Sequence, residues 1–206
     1  MSEYKLVCYN YSSLHGCFAV YQAPPPTSSP GDLITLAWLV RPAAPHTRVI
    51  FSWSTTLSFV WGEAGALRPG AVFEASQTVE ADPWRENTID LTRDRVGCPY
   101  FDRLRVGGTP GTLTITQLNN VFDYPVCVGV GLGGMAAYAV VANPNVTTVF
   151  TPHRNRYWVT FGTYVPGQVF DAETLTGTLK VEFDRTEPVR TIALNSENIL
   201  HQIPRR

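Results

Sequence analysis

The chain has 206 residues, of which 44% are hydrophobic and 12% aromatic, and its formal net charge is -1. A chain of this length can bury a sizeable core as one all-β domain, so we predict a single domain over residues 1–206. The balanced charge argues against an electrostatic hold on a phosphate backbone, so we predict no nucleic-acid partner. No stretch has the ~20 apolar residues of a membrane helix, and the first ten residues lack the apolar run of a secretory signal. We therefore predict no membrane span and a cytoplasmic location, with export by a non-classical route as the alternative.

Alternation of side chains with a period of two predicts β-strands along the whole chain. Within residues 57–61, Leu57, Phe59 and Trp61 fall on one face of an extended segment. The predicted strands are 4–10, 16–22, 33–41, 47–54, 57–61, 71–79, 87–91, 99–104, 112–118, 126–133, 136–143, 146–150, 157–165, 177–183 and 189–195. Turn signals rich in Gly and Pro separate almost every pair. Many short strands at this spacing predict an all-β antiparallel sandwich of two sheets, with a flattened β-barrel as the alternative.

Two segments between or beyond these strands have a different character. APPPTSSPGD at residues 23–32 is predicted to be a mobile loop, stiffened by consecutive prolines toward the polyproline form. NSENILH at 195–201 allows at most one helical turn, capped by Asn195 or Ser196.

The glycine run GVGLGG at 129–134 looks like a dinucleotide-binding motif, but that motif must be followed by a helix. Here a second strand follows, so we predict no nucleotide site. Gly129, Gly131 and Gly133 share one strand face. A face without side chains leaves room either for an aromatic ring of the facing sheet or for a bound ligand.

The cysteines and histidines show no metal-binding spacing. Cys8 and Cys17 lie on neighbouring predicted strands and could face each other across a hairpin, but a reducing compartment favours buried free thiols. We predict no metal and no cofactor.

Trp61 and Glu63 form the first candidate site. Trp61 ends a predicted strand, and Glu63 follows in a turn flanked by glycines. Such a pair suits the rim of a pocket, where the ring stacks on a sugar and the carboxylate accepts hydrogen bonds from hydroxyl groups. A sandwich end cap with a solvated Glu63 is the alternative.

The second candidate site is the polar and aromatic segment around residues 153–158. His153 and Arg154 lie in the turn before a predicted strand that starts with Tyr157 and Trp158. His153 is the best general base of the four histidines, because imidazole titrates near neutral pH, although an ordinary surface histidine is the alternative. The catalytic candidates are His153, Tyr157 and Glu63. The candidate ligand-binding residues are Trp61, Glu63, His153, Arg154, Tyr157 and Trp158.

Four segments of the chain are long or unusual enough to be compared with known families: LAWLV (36–40), FSWSTTLSFVWGEAGALRPGAVFEASQTVEADP (51–83), VGVGLGG (128–134) and TPHRNRYWVTFGTYVPGQVFDAETLTG (151–177). These segments resemble the RhiA family of rhizosphere-expressed bacterial proteins. The resemblance implies a small soluble protein made under cell-density control in plant-associated bacteria. It implies no reaction, cofactor or catalytic residue. The Pro-rich loop at 23–30 and the tail Arg205-Arg206 depart from the family pattern.

The leading hypothesis is a soluble, non-enzymatic binding protein that recognises a small organic molecule or a glycan through an aromatic-lined site. The alternative is a cofactor-independent isomerase or cyclase of specialised (secondary) metabolism, with a His or Tyr transferring a proton in a β-enclosed pocket. A self-assembling protein is the third hypothesis, because exposed edge strands and near-neutral charge permit a homo-oligomer.

Overall fold

A computed structural model describes residues 3–23, 33–65, 67–121, 126–170, 175–184 and 186–204. These ranges contain seventeen strands and no helix, which confirms the all-β prediction. The strands are β1 (Glu3–Asn10), β2 (Gly16–Tyr21), β3 (Ile34–Thr35), β4 (Leu39–Ala43), β5 (Arg48–Ser54), β6 (Leu57–Glu63), β7 (Gln77–Ala81), β8 (Thr88–Arg93), β9 (Pro99–Arg105), β10 (Leu113–Gln117), β11 (Val126–Leu132), β12 (Met135–Val141), β13 (Val146–Phe150), β14 (Arg156–Gly162), β15 (Leu179–Glu182), β16 (Val189–Leu194) and β17 (Leu200–Gln202).

The strands form four sheets with the orders β17-β16-β1-β5, β15-β14-β2-β4, β3-β12-β11-β6-β7 and β13-β10-β8-β9. Neighbouring strands are antiparallel, as predicted, except for the parallel pairs β1–β16 and β8–β10. Four sheets arise where two were expected because successive strands change sheet, as β1 and β2 do, and β4 and β5. None of the four sheets closes into a barrel within the described residues.

One large buried cluster receives side chains from all four sheets. Examples are Leu6, Phe18, Phe59 and Ile89. Alternation produces this arrangement directly, because in each strand every second side chain points to the shared interior. In β1, for instance, the even-numbered residues from Tyr4 to Asn10 are buried.

Three segments differ from the sequence prediction. Residues 33–41 divide into β3 and β4, because the intervening N–H groups of Leu36 and Ala37 donate to Ala137 and Gln168 instead. Residues 71–76 form no ladder with β6, and only Gln77–Ala81 does. The segment after β16 is a hairpin turn rather than a helical turn. Residues 24–32 of the predicted mobile loop and the Arg205-Arg206 tail lie outside the described residues.

The glycine face of β11 packs against protein atoms of its own sheet. A Cβ at Gly129 would lie 2.1 Å from the carbonyl oxygen of Tyr138, on the neighbouring β12. A Cβ at Gly131 would lie 2.5 Å from the Oγ of Ser58. The pairing of β11 with β12 shifts register at this point. These glycines therefore permit the close approach of a strand backbone and of a serine. The prediction that an aromatic ring or a ligand packs on this face was wrong.

All four cysteines are free. Cys8 and Cys17 do not face each other across a hairpin, because β1 and β2 belong to different sheets. Cys8 and Cys127 are buried, as expected for inert thiols.

Candidate functional site

A cleft with a volume of about 450 Å³ opens between four separate segments of the chain. Its described lining residues are Trp38, Val72, Phe73, Glu74, Ala75, Thr78, Gly134, Met135, Ala136, Pro166 and Gly167. The volume lies within the roughly 300–1,000 Å³ of small-molecule sites, and most of the lining side chains are apolar. This cleft is the candidate functional site.

One wall comes from the β11–β12 hairpin. Gly133 and Gly134 form its two-residue turn with φ values of 54° and 84°, a conformation that glycine adopts without a steric penalty. The turn pairs Leu132 with Met135. Met135 therefore begins β12 at the mouth of the cleft, where its side chain is 40% exposed.

The opposite wall consists of two loop segments joined by backbone hydrogen bonds. The N–H of Phe73 donates to the carbonyl of Gly167 over 2.9 Å, and the N–H of Val169 donates to Ala71 over 2.7 Å. A Cβ at Gly167 would lie 2.3 Å from the carbonyl oxygen of Phe73, so only glycine allows this approach. The phenyl ring of Phe73 is buried, which anchors the wall in the protein.

Trp38 forms the floor, and its ring is fixed from several sides. Its Nε1 donates to the carbonyl of Leu132 over 3.1 Å. The ring stacks on Tyr157 and meets Trp53 edge-on, with centroids 5.6 and 5.5 Å apart. Only 1% of Trp38 is exposed, so it closes the base of the cleft without offering an open stacking face.

Glu74 and Thr78 are the polar side chains of the lining, and both are exposed. Within the described residues, the Glu74 carboxylate forms no ion pair or hydrogen bond with another side chain, so it can accept hydrogen bonds or pair with a cation from solution. The cleft therefore combines an apolar wall, a rigid floor and one negative charge.

The structure places Trp61 in the core instead of at a rim. Its ring is 7% exposed, and its Nε1 donates to the Oε1 of Gln77 over 2.7 Å. The same Gln77 oxygen accepts the N–H of Phe101, so this contact ties β6 to β9. Glu63, at the end of β6, is exposed.

Tyr157 is fully buried, and its hydroxyl donates to the carbonyl of Arg154 over 2.8 Å. Burial raises the pKa of Tyr157 well above its ordinary value, which makes it a poor proton donor or acceptor near neutral pH. Arg154 is exposed. Partial burial, and then the positive charge of Arg156, lowers the pKa of His153 below its ordinary value.

Trp158 is half-buried and packs on the far side of β14 from Tyr157. Its ring stacks on Tyr21 with centroids 6.3 Å apart. Residues 153–158 thus stay together at one end of β14, while Trp61 and Glu63 belong to a different sheet. The two predicted groups do not form a common site. Tyr157 does not line the cleft, but its ring stacks on the floor residue Trp38.

The sequence prediction missed the residues that line the cleft. The turns Gly133-Gly134 and 165–168 carry Gly and Pro signals, and Trp38 lies in the apolar stretch LAWLV. No local signal shows that these segments meet residues 72–78, because the distance between them depends on the packing of whole sheets.

Neither a metal site nor a membrane-spanning helix is found among the described residues. No cluster of three or more His, Cys, Asp or Glu within them is placed to hold a metal ion. The same ranges hold no helix that could cross a membrane.

The molecule is thus an all-β protein with an open, mainly apolar cleft at the junction of a hairpin and two loops. The RhiA family model matches residues 1–201. The chain belongs to the RhiA family, which confirms the resemblance found in the sequence. Protein RhiA of Rhizobium leguminosarum bv. viciae is 30% identical over 185 residues, which cover 88% of this chain and 78% of that protein. No solved structure matches the chain. The family name states neither ligand nor reaction, so function must be argued from the cleft.

Proposed function

We propose that this protein is a non-enzymatic binding protein that holds a small organic molecule or a glycan in the cleft beside Met135. The observation that carries the proposal is the cleft itself, with its volume of about 450 Å³, its buried floor Trp38 and the exposed carboxylate of Glu74. Ligand sites commonly combine an apolar surface with a few polar groups that orient the ligand.

The walls supply complementary contacts. Val72, Met135 and Ala136 offer apolar surface to a ring or an alkyl chain. Glu74 accepts hydrogen bonds from hydroxyl or ammonium groups, and the Thr78 hydroxyl can donate or accept. Because Trp38 is already fixed by its hydrogen bond and its ring contacts, little ordering of the floor accompanies binding.

The lining favours binding over catalysis. Among its described residues, Glu74 is the single side chain that carries an ionisable group. General acid–base chemistry requires a proton donor and acceptor within hydrogen-bond reach of the substrate. His153 and Tyr157 are not part of this lining, so no specific observation favours the isomerase or cyclase alternative, which stays a prediction.

The group at 153–158 is a second location to test. Trp158 keeps part of its ring exposed, and His153 and Arg154 lie in the preceding turn. A ligand ring bound there would depend on Trp158 and not on Met135.

A panel of monosaccharides, disaccharides and small aromatic metabolites tests the proposal, with binding measured by tryptophan fluorescence and calorimetry. We expect Met135→Ala and Glu74→Gln each to weaken binding by about fivefold, the effect of ~1 kcal/mol. Val141→Ala is the matched control on β12, and Glu80→Gln is the control on β7. Both residues are exposed and outside the described lining.

The outcomes separate the two locations. Binding that Trp158→Ala abolishes and Met135→Ala leaves unchanged would move the site to residues 153–158. Absence of any binding by the folded protein across the panel would count against a binding function.

The cytoplasmic location and the homo-oligomer stay predictions. Cell fractionation tests the first, and sedimentation in solution tests the second.

A further inference from the structure

A second cleft, of about 270 Å³, adjoins the first. Its described lining residues are Leu39, Val40, Arg41, Phe51, Ser52, Met135 and Pro166. Met135 and Pro166 line both clefts. Trp38 lines the first cleft and the next three residues line the second, so one continuous segment, 38–41, runs past both.

The second cleft lies where two sheets diverge. β4 is the last strand of one sheet and β5 is the last strand of another. Leu39–Arg41 come from β4, and Phe51 and Ser52 come from β5. The connection between the two strands is short, so they splay apart from a common corner and leave the cleft between them.

The two clefts carry opposite charges. Glu74 lines only the first cleft, and Arg41 lines only the second. The Arg41 guanidinium lies over the Phe51 ring, 5.7 Å from its centroid, which favours a defined position for this cation. Within the described part of the chain neither residue forms a salt bridge, so both charges remain available to a ligand.

We propose that the two clefts form one groove for an elongated zwitterion. Its protonated amine lies beside Glu74, its carboxylate lies beside Arg41, and its apolar middle crosses Met135 and Pro166. This inference rests on the proposed function and narrows it to a class of ligand.

The positions of the two charges determine the orientation of the ligand in the groove. A ligand in the reverse orientation would bring like charges together at both ends, which costs free energy. The guanidinium presents paired N–H donors that match a carboxylate. Between the charges, the thioether of Met135 is flexible enough to lie along an alkyl chain or a ring.

Straight-chain ω-amino acids of increasing length, from γ-aminobutyrate through ε-aminocaproate to ω-aminolaurate, test the inference. Each is compared by calorimetry with the alkylamine, the carboxylate and the neutral alcohol of the same chain length. At the best length, we expect the amino acid to bind about fivefold tighter than the amine or the carboxylate, the effect of one ion pair of ~1 kcal/mol. We also expect this advantage to shrink as salt is added.

Two variants assign the charges. Arg41→Gln should remove the advantage of the amino acid over the amine, and Glu74→Gln should remove its advantage over the carboxylate. Arg48→Gln and Glu80→Gln are the matched controls, because both residues are exposed and outside the described linings of the two clefts.

The results distinguish this inference from the proposed function. If the neutral alcohols or a glycan bind in a Met135-dependent way and Arg41→Gln has no effect, the zwitterion inference is overturned and the binding function stands. If neither these probes nor the wider panel bind the folded protein, both are overturned.

Discussion

Trp38 stacks on Tyr157 with their ring centroids 5.6 Å apart and their planes inclined by 18°. Trp53 meets both rings edge-on, 5.5 Å from Trp38 and 5.0 Å from Tyr157. Phe183 and Tyr4 complete this aromatic cluster. The cluster connects the floor of the cleft to the turn that carries His153, so the cleft depends on packing far behind its surface.

Replacing Trp38 should therefore reduce both stability and ligand binding. We expect Trp38→Ala to lower the free energy of unfolding by about 4 kcal/mol, because it leaves a cavity among the aromatic rings. Trp38→Phe keeps part of the packing, so it should lower the free energy of unfolding by less than Trp38→Ala does. It should still weaken binding at the cleft. Denaturant unfolding measures the first effect and calorimetry the second.

Trp84→Phe is the matched control for this prediction, because 68% of Trp84 is exposed. It should change the unfolding free energy by less than about 0.5 kcal/mol. Equal losses in Trp38→Phe and Trp84→Phe would contradict the assignment of Trp38 to a packed floor.

Asn10 should be a major stability determinant, since its buried side chain fixes the corner between β4 and β5. Its Nδ2 donates to the carbonyls of Leu14, Ala43 and Ala44 over 2.8, 3.3 and 3.1 Å. Its Oδ1 accepts the N–H and the hydroxyl of Ser12. We expect Asn10→Ala to lower the free energy of unfolding by about 3 kcal/mol, because several buried polar groups lose their partners. Chemical denaturation gives the measurement.

Asn119→Ala is the control for Asn10, because Asn119 is exposed. A loss of similar size at both positions would show that the hydrogen bonds at the corner contribute little.

Gly129 should tolerate no side chain. In Gly129→Ala the new methyl group would lie 2.1 Å from the Tyr138 carbonyl oxygen, so β11 and β12 would have to separate. We expect the free energy of unfolding to fall by about 3 kcal/mol and the yield of folded protein to decrease. Thermal unfolding of the purified variant gives the measurement.

Gly70→Ala isolates the backbone effect, because Gly70 has a φ of 86° and its Cβ position has no neighbour within 4 Å. The substitution should lower the free energy of unfolding by about 1–2 kcal/mol, because alanine is strained in the left-handed conformation. Gly129→Ala should be the more damaging change, and the reverse order would contradict the close approach.

His153 should make the protein less stable as pH falls. Partial burial and the charge of Arg156 lower its pKa in the folded protein, so the unfolded chain binds this proton more readily. The free energy of unfolding should then decrease as pH falls through the window between the ordinary pKa of about 6.5 and the lower folded value. NMR titration of the His153 ring gives the pKa, and denaturation from about pH 8 to about pH 5 gives the slope.

Arg156→Gln tests the cause of this effect. Removing the positive charge should raise the pKa of His153 toward its ordinary value and flatten the slope. A pKa of His153 above the ordinary value in the wild-type protein would contradict the prediction.

Local pattern was sufficient to predict most of the strands, but not β17, which begins inside the segment predicted to allow a helical turn. Alternation in residues 57–61 placed β6 correctly and put Leu57, Phe59 and Trp61 on a buried face. The same pattern could not distinguish a core tryptophan from one at a rim. Trp61 ends its strand before a turn, yet its Nε1 is held by Gln77, a residue whose position depends on the pairing of β6 with β7.

The sequence by itself determined the all-β class and most strand positions, because side-chain alternation and turn residues act over a few neighbouring positions. Its long characteristic segments also identified the RhiA family. Only the tertiary structure brought Trp38, Phe73, Met135 and Pro166 around one cleft. Those residues are far apart in the chain. The space between them is set by how the β11–β12 hairpin and two loops pack beside β4, which no local pattern encodes.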